Sequence, residues 1–314
     1  MSLLQRHLSN ALRLALAGKT TAGGFGLDDV IRSGLRNPDS SVGVYAPDAQ
    51  SYSTFRELFG PILQDLQPAP RDTAEPSHGL PVASVISTRV RVARNLAGHT
   101  FPAGMSRVER LDVQEKIASA CQFLALHFEG RVWQLQGLPN HQLDTMIASR
   151  QAFGPDDKYL AAAGVHNDWP IGRSVFCTPQ GQVSVWINEE DHLRVAVVMP
   201  GACPAACHQT MRSVTAHLAT QLDFCTDTQL GYLTSCPSNV GSGMRVSYMV
   251  DMRYNAAQTA FLERLAAIGV LHIRGAKGEH SSRSGGLADV SFRQRVGRSE
   301  THMLQEFEAL LTRH

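Results

Sequence analysis

A segment that cannot form regular secondary structure divides the chain into a short part and a long part. Residues 67–81 contain four prolines and few apolar residues, and they show neither helical nor strand periodicity. Proline lacks a backbone N–H and restricts the residue before it, so a stretch of this kind is typical of a linker between domains. We therefore predict a first domain over residues 1–70, a linker over 71–83 and a second domain over 84–314.

The first part of the chain has the apolar periodicity of helices. Apolar residues recur at helical spacing over residues 3–17, 27–35 and 52–66, and a loop rich in turn-forming residues lies at 36–45. We therefore predict a small all-α domain. The loop amides at residues 40–43 form a possible carboxylate-binding nest, and the alternative is that the loop is only a connector.

Two strand patterns in the second part carry clustered charges. Residues 84–92 alternate as a strand does, which places Arg89 and Arg91 on one face. Taken alone, these arginines are equally well explained as solvent-facing residues of an edge strand. Residues 183–195 also begin as a strand and run into three consecutive acidic residues at 189–191. Because carboxylates are costly to bury without a partner, this strand end predicts either a binding site or a solvated surface.

A third strand pattern leads into a loop. Residues 271–286 begin as a strand and become rich in glycine and serine, with Arg274 and Glu279 among them. This composition predicts a mobile basic lid, and the alternative is a surface loop without function. Long helical patterns separate the strands, which predicts a mixed α and β domain. The sequence contains no Walker or Rossmann glycine motif, so a bound phosphate would be held by arginines.

Residues 231–245 place Cys236 in a loop rich in glycine and hydroxyl groups. Ser238 is positioned to donate a hydrogen bond to a thiolate, which would lower the pKa of Cys236. Two glycines then allow backbone amides to approach an anion, and Arg245 begins the next strand pattern. We predict a cleft that contains an ionised cysteine and a guanidinium. The alternative is a turn with a buried, inert cysteine.

Charge and cysteine content argue against several classes of function. The 29 basic and 28 acidic residues nearly cancel, so no overall field attracts nucleic acid or a membrane surface. No apolar run reaches the length of a membrane span. The six cysteines lack the dense spacing of a secreted disulfide scaffold, which indicates reduced thiols and a cytoplasmic location. Cys203, Cys207 and His208 have a spacing seen in metal sites, but no second ligand pair follows, and we predict no metal site.

Together these motifs resemble the phosphagen kinases, also called ATP:guanido phosphotransferases, and among them most closely the arginine kinases. The motifs are Ser87-Thr-Arg-Val-Arg91, Val185-Trp-Ile-Asn-Glu-Glu-Asp-His-Leu-Arg194, Leu233-Thr-Ser-Cys-Pro-Ser-Asn239, Arg274-Gly-Ala-Lys-Gly-Glu-His280 and Val42-Gly-Val-Tyr-Ala-Pro-Asp48. The resemblance extends from near Ser2 to the C-terminal helix. It therefore favours a domain helix over an organellar transit peptide for the N-terminus, which has basic but no acidic residues up to position 27.

The resemblance implies an α+β fold and a set of site residues. The fold is a small all-α N-terminal domain followed by a larger domain with an antiparallel β-sheet flanked by α-helices. The phosphate-binding arginines of the family correspond to Arg89, Arg91, Arg194, Arg245 and Arg274. The two carboxylates that align the substrate correspond to Glu190 and Glu279, and the reactive thiol corresponds to Cys236. The loop that selects the substrate corresponds to Ser40, Ser41, Val42 and Gly43, with Tyr45 packed nearby.

The implied reaction is the reversible, Mg²⁺-ATP-dependent phosphorylation of a guanidino substrate. L-arginine is favoured because the selecting loop is short, while taurocyamine, lombricine or another guanidine stays open. A protein-arginine kinase is disfavoured because those enzymes lack the helical domain. The implied partners are the guanidino compound and ATP or ADP, with Mg²⁺ held by phosphates and water and with few or no protein ligands. Monomer and dimer are both open.

Two positions depart from the family pattern. Cys177 and Met249 stand where the family has histidines at the adenine end of its nucleotide site. Nucleotide affinity and base preference are therefore open. These replacements are also the only support for an alternative of another class, a catalytically weak, nucleotide-binding scaffold of the same fold.

Overall fold

The structure is a computed structural model, and it describes residues 1–67, 79–275 and 286–312. The N-terminal part contains α1 (Leu3–His7), α2 (Asn10–Leu16), α3 (Leu27–Arg36), α4 (Ser51–Thr54) and α5 (Arg56–Leu66). The first two helices begin at serine caps, because the hydroxyls of Ser2 and Ser9 accept hydrogen bonds from backbone amides of the first turn. The predicted all-α character is confirmed for described residues 1–67.

The second part is built on an antiparallel sheet. Its strands are β1 (Leu80–Pro81), β2 (Val85–Arg94), β3 (Arg131–Gln134), β4 (Ser174–Cys177), β5 (Val183–Ile187), β6 (Leu193–Pro200), β7 (Thr226–Asp227), β8 (Gly231–Tyr232), β9 (Met244–Asp251), β10 (Leu271–Gly275), β11 (Leu287–Phe292) and β12 (Leu311–Thr312). Eight of them form one sheet in the order β10-β11-β9-β2-β6-β5-β4-β3, in which every neighbouring pair is antiparallel. The remaining strands form the pairs β1–β12 and β7–β8.

Helices cover one face of this sheet. The helices of the second part are α6 (Arg107–Leu124), α7 (Asn140–Ala148), α8 (Lys158–Ala163), α9 (Pro204–Ala219), α10 (Ala256–Ala267) and α11 (Glu300–Glu308). Side chains of α6, α9, α10 and α11 share a buried apolar cluster with Val90, Val195 and Val246 of the three central strands. Because side chains alternate across a strand, the neighbouring residues Arg89, Arg91 and Arg245 point to the opposite face. The predicted fold class is confirmed, and the sheet separates an apolar core from a guanidinium-bearing surface.

The N-terminal helices are attached to the second part through an apolar cluster and through hydrogen bonds. They share buried apolar contacts with α8 and with the segment between β8 and β9. The backbone amide of Ala46 donates to the carbonyl oxygen of Ser235 at 2.7 Å. The hydroxyl of Tyr52 donates to the carbonyl oxygen of Thr234 at 2.7 Å. The helical part is therefore tied directly to the loop that contains the predicted reactive cysteine.

The domain limits stay a prediction. Residues 71–78 of the predicted linker lie outside the described residues. The described end of that segment continues from β1 into a short 3₁₀ turn at Val82–Ser84 and then into β2.

Candidate active site

A cavity of about 680 Å³ opens on the guanidinium-bearing face of the sheet. Its lining includes every predicted site residue that the structure describes: Ser40, Ser41, Val42, Gly43, Tyr45, Arg89, Arg91, Glu190, Arg194, Cys236, Arg245 and Arg274. The remaining predicted residue, Glu279, lies outside the described residues. Segments from both parts of the chain therefore meet in one cavity.

Strand register brings the arginines together. Arg91 of β2 is directly opposite Arg245 of β9, and Arg89 follows two positions earlier on the same face. Burial lowers the pKa of Arg91 well below its usual value, and the charges of Arg194 and Arg245 lower it further. Like charges directly opposite each other on neighbouring strands are destabilising, so this arrangement favours a bound polyanion.

Asp289 is the main counter-ion on this face, and the sequence reasoning missed it. Arg245 donates from Nη2 to Asp289 Oδ1, and its Nε donates to Ser291 Oγ at 3.0 Å. Burial raises the pKa of Asp289, but the Arg245 and Arg89 charges outweigh burial and hold this pKa below its usual range. The only sequence signal is that Asp289 and Ser291 alternate with apolar residues along β11.

The acidic strand end holds Arg194 in place. Arg194 donates from Nη1 to Glu189 Oε1 at 3.0 Å and from Nη2 to Glu190 Oε2 at 2.9 Å. Burial raises the pKa of Glu190 to about 7, although the Arg194 charge opposes the shift. A carboxyl group that titrates near neutrality is suited to accept and return a proton.

The next two residues of the strand end face the core. Asp191 accepts hydrogen bonds from Asn95 Nδ2 at 2.7 Å and from the Ser235 amide at 2.6 Å. His192 Nδ1 accepts from the Leu96 amide at 2.9 Å, which leaves Nε2 to donate to a backbone carbonyl. Burial lowers the pKa of His192 to about 3, so this ring is neutral. Two acids of the run face the cavity, whereas Asp191 and His192 position the strand end.

The environment of Cys236 only partly matches the prediction. Its Sγ lies 3.2 Å from Ser238 Oγ, which confirms the expected contact. Burial, followed by the nearby Glu190 carboxylate, raises the pKa of Cys236 to about 12, and the Ser238 hydroxyl offsets only part of this shift. Without a neighbouring cation this environment favours the neutral thiol, because the contribution of one hydroxyl is smaller than those of burial and a neighbouring negative charge. Ionisation of Cys236 stays a prediction.

Residues 40–43 of the predicted substrate loop line the cavity. The Ser40 amide donates to the carbonyl oxygen of Asn37, whereas the amides at 41–43 have no acceptor within the described chain. Gly43 has a φ of 88°, and a Cβ there would lie 2.9 Å from Leu4 Cβ. The loop therefore requires glycine at this position. The amides at 41–43 are therefore available to bind an anion, and the carboxylate-binding nest stays a prediction.

The two positions that depart from the family pattern lie on different strands. Met249 of β9 has the backbone neighbours Ser87 and Asp289, whereas Cys177 is on β4 with three strands between them. Cys177 packs in an apolar cluster with Val175. Neither side chain is among the described residues that line the cavity. An effect on base recognition stays a prediction.

At the start of α9, the polar groups of Cys207 and His208 each contact a different residue of the protein. Cys207 Sγ donates to the Thr88 carbonyl oxygen at 3.5 Å, and His208 Nε2 contacts Glu300 at 2.8 Å. Within residues 1–67, 79–275 and 286–312, no group of three or more His, Cys, Asp or Glu side chains is arranged to hold a metal ion. In the same residues, no helix has both the length and the apolar character needed to cross a membrane.

Most of the chain matches two domains that are known from other proteins. Residues 1–64 match the N-terminal domain of the ATP:guanido phosphotransferases, and residues 112–313 match their C-terminal catalytic domain. The chain is 33% identical to an arginine kinase of Procambarus clarkii over 319 residues, which cover 98% of this chain and 89% of that protein. It is 32% identical to an arginine kinase of Limulus polyphemus, with 98% and 89% covered.

Solved structures with other guanidino substrates in their names have the same fold. The duplicated taurocyamine kinase of Schistosoma mansoni with bound transition state analog components matches with a TM-score of 0.86 and 28% identity over 99% of this chain. This chain spans 45% of that duplicated protein. A lombricine kinase matches with a TM-score of 0.80 and 28% identity, and the match covers 98% of this chain and 88% of the other.

Proposed function

Because the chain belongs to the ATP:guanido phosphotransferase family and is a phosphagen kinase, we propose that it phosphorylates L-arginine reversibly with Mg-ATP. The observation that carries this proposal is the shared cavity, which is lined both by the arginines of the sheet and by the loop residues 40–43. The identities to arginine kinases support arginine as the substrate. The matches to taurocyamine and lombricine kinases make those guanidines the second candidates.

The proposed nucleotide site is the face of the sheet. Phosphoryl transfer needs positioning and charge neutralisation, and buried or half-buried guanidiniums provide both. The phosphate-binding residues in this proposal are Arg89, Arg91, Arg194, Arg245 and Arg274. The carboxylates of Glu189, Glu190 and Asp289 are already paired with arginines. The cavity therefore fits Mg²⁺ held by the nucleotide phosphates, whose charge the ion neutralises, with the side chains contacting the phosphates.

The proposed guanidino site contains Glu190 and Cys236. Glu190 aligns the attacking nitrogen by a charge-assisted hydrogen bond and accepts its proton, which fits a pKa of about 7. Arg194 forms an ion pair with Glu190. A nucleotide phosphate bound to Arg194 and a substrate guanidinium bound to Glu190 would therefore belong to one ion-pair network. Glu279 is the proposed second carboxylate. A guanidinium beside Cys236 would favour the thiolate, which gives this residue an electrostatic role without a covalent intermediate.

The loop at 40–43 is proposed to bind the carboxylate end of the substrate through its amides, with Tyr45 packing nearby. A substrate bound at both ends fits L-arginine, which carries a guanidinium and a carboxylate. The cysteines are free thiols, which supports our proposal of a cytoplasmic location.

A coupled assay with Mg-ATP and matched concentrations of L-arginine, taurocyamine, lombricine and creatine tests the substrate. The highest kcat/KM is expected for L-arginine. A higher kcat/KM for taurocyamine or lombricine would make that guanidine the proposed substrate in place of L-arginine. No turnover of any of them, with Mg-ADP binding intact, would favour the nucleotide-binding scaffold.

A further inference from the structure

Arg150 occupies a backbone position that normally requires glycine. Helix α7 ends in a Schellman motif, in which the Gln151 amide donates to the Met146 carbonyl at 2.8 Å and the Arg150 amide donates to the Ile147 carbonyl at 3.0 Å. In this motif the residue after the C-cap has a left-handed conformation, and the φ of Arg150 is 60°. Glycine adopts this conformation without strain, whereas arginine does not. The turn itself gives no reason for an arginine here.

Arg150 lines the cavity that contains the proposed nucleotide site. It lines the same cavity as the arginines of the sheet, but it comes from the segment that joins α7 to α8. Burial lowers the pKa of Arg89 to about 10 against the opposing effect of Asp289, and the charges of Arg194 and Arg150 lower it further. The two guanidiniums of Arg150 and Arg89 are therefore close enough to interact across the cavity.

Among the residues that the structure describes, no carboxylate is paired with Arg150. Within the described chain, Arg150 forms no ion pair, while Arg194 and Arg245 each have an acidic partner. The position thus combines a strained backbone with a guanidinium that has no ion-pair partner among the described residues and shares its cavity with Arg89. Both features reduce stability, and conflicts of this kind between a residue and its local conformation concentrate at functional sites. An anion bound between the two guanidiniums removes the repulsion.

We propose that Arg150 is an additional phosphate-binding residue, which contacts the nucleotide polyphosphate from the α7–α8 segment while Arg89 contacts it from the sheet. This proposal rests on the proposed function, because it takes Mg-ADP and Mg-ATP as the ligands. Arg150 would contact the phosphates from outside the sheet, in addition to the arginines that were inferred from the sequence.

The test compares the substitutions Arg150→Gly, Arg150→Ala and Arg150→Lys with Arg212→Ala as a control. Arg212 is exposed on α9, on the other face of the sheet, and its removal changes the net charge equally. Calorimetry measures binding of Mg-ADP and of inorganic pyrophosphate, and thermal unfolding measures stability. Arg150→Gly is expected to weaken both ligands by about tenfold or more and to raise the melting temperature, since glycine relieves the strain. Lysine should retain part of the affinity, and the control should change neither ligand.

Four outcomes would overturn the proposal. If Arg150→Gly binds both ligands as tightly as the wild-type protein does, Arg150 is not part of the phosphate site. Turnover by the wild-type protein would in that case still support the kinase assignment. Weaker ADP binding with unchanged pyrophosphate binding would place the contact on the nucleoside. A lower melting temperature for Arg150→Gly would indicate a structural role for the side chain. Absence of both nucleotide binding and turnover in the wild-type protein would overturn the proposed function together with this inference.

Discussion

Arg91 and Arg245 lie directly opposite each other on neighbouring strands, with both guanidiniums on the cavity face of the sheet. Arg245 is paired with Asp289, and the charges around Arg91 include Arg194, Arg245 and Arg89. The protein therefore holds a concentration of positive charge that binding of a polyphosphate would relieve.

Replacing Arg91 should stabilise the protein and impair nucleotide binding. Arg91→Met removes a half-buried charge that lies among other guanidiniums and keeps most of the side-chain volume, so the free energy of unfolding should rise by about 1 kcal/mol. Mg-ADP affinity should fall by about tenfold or more, because a charge-assisted contact is lost. Urea unfolding and calorimetry measure the two effects. Arg212→Met, on the far side of the sheet, serves as the control, and a less stable Arg91→Met protein would contradict the repulsion argument.

Removing the charge of Glu190 should affect chemistry more than nucleotide binding. Glu190→Gln keeps the shape of the side chain but cannot accept a proton, so kcat should fall by about 10²- to 10⁴-fold. Mg-ADP affinity should stay nearly the same. The matched control is Glu189→Gln, since Glu189 also pairs with Arg194. If both variants lose activity equally, the effect comes from a displaced Arg194 and the role proposed for Glu190 is wrong.

The raised pKa of Glu190 has a consequence for stability. In the folded protein this pKa is about 7, above its ordinary value near 4.5, so the folded state binds more protons than the unfolded state between these values. The contribution of Glu190 to stability is therefore present at low pH and is lost as the pH rises through this window. Relative to wild type, Glu190→Gln should become progressively more stable from about pH 5 to about pH 8. Urea unfolding across this range measures the difference, and a constant difference would be evidence against the shifted pKa.

Replacing Cys236 should slow the reaction without stopping it. Cys236→Ser retains a small polar group beside Ser238 but removes the ionisable sulfur, so kcat should fall by about tenfold to a hundredfold. Steady-state kinetics and a thermal unfolding control measure the effect. Complete loss of activity in a normally folded variant would argue for a covalent role of the thiol.

The substrate loop should be sensitive to a single added methyl group. Gly43→Ala combines backbone strain with a collision against Leu4, so KM for the guanidine should rise by about tenfold and stability should fall by more than 1 kcal/mol. Gly24→Ala is the matched control, because Gly24 has a similar φ of 83° with open space around it. That variant should lose about 1 kcal/mol of stability and keep its KM. Equal KM changes in both would mean that the loop conformation is not specific to the substrate.

Much of the arrangement of charged residues in the cavity follows from local sequence pattern. Alternation along residues 84–92 was sufficient to put Arg89 and Arg91 on one face, and the acidic run at 189–191 was correctly associated with a strand end. Local composition also indicated Cys236, Arg245 and the loop at 40–43, whereas Arg194 and Tyr45 came from the family resemblance. The structure brings the predicted positions that it describes into the same cavity. Their catalytic and binding roles stay predictions.

The features that sequence reasoning missed depend on contacts between distant segments. Asp289 is a counter-ion only because β11 lies beside β9 in this register. The raised pKa of Cys236 reflects burial and the approach of Glu190 from the turn between β5 and β6. Arg150 lies outside any strand or helix pattern of the sequence. It follows the end of α7 and has a backbone conformation that its residue type disfavours. Side-chain alternation contains no information on any of these contacts.

The hydrogen bonds from Ala46 and Tyr52 to the Cys236 loop limit how this enzyme can be re-engineered. They connect the end of the substrate loop and the following helix to residues 234 and 235, which immediately precede the cysteine. A chimera that exchanged only the N-terminal region for that of a relative with another guanidine would place a foreign segment against the native cysteine loop. Under the proposed role of the loop at 40–43, substrate preference is therefore best transplanted as two segments at once, the N-terminal region and residues 231–245, instead of as one interchangeable module.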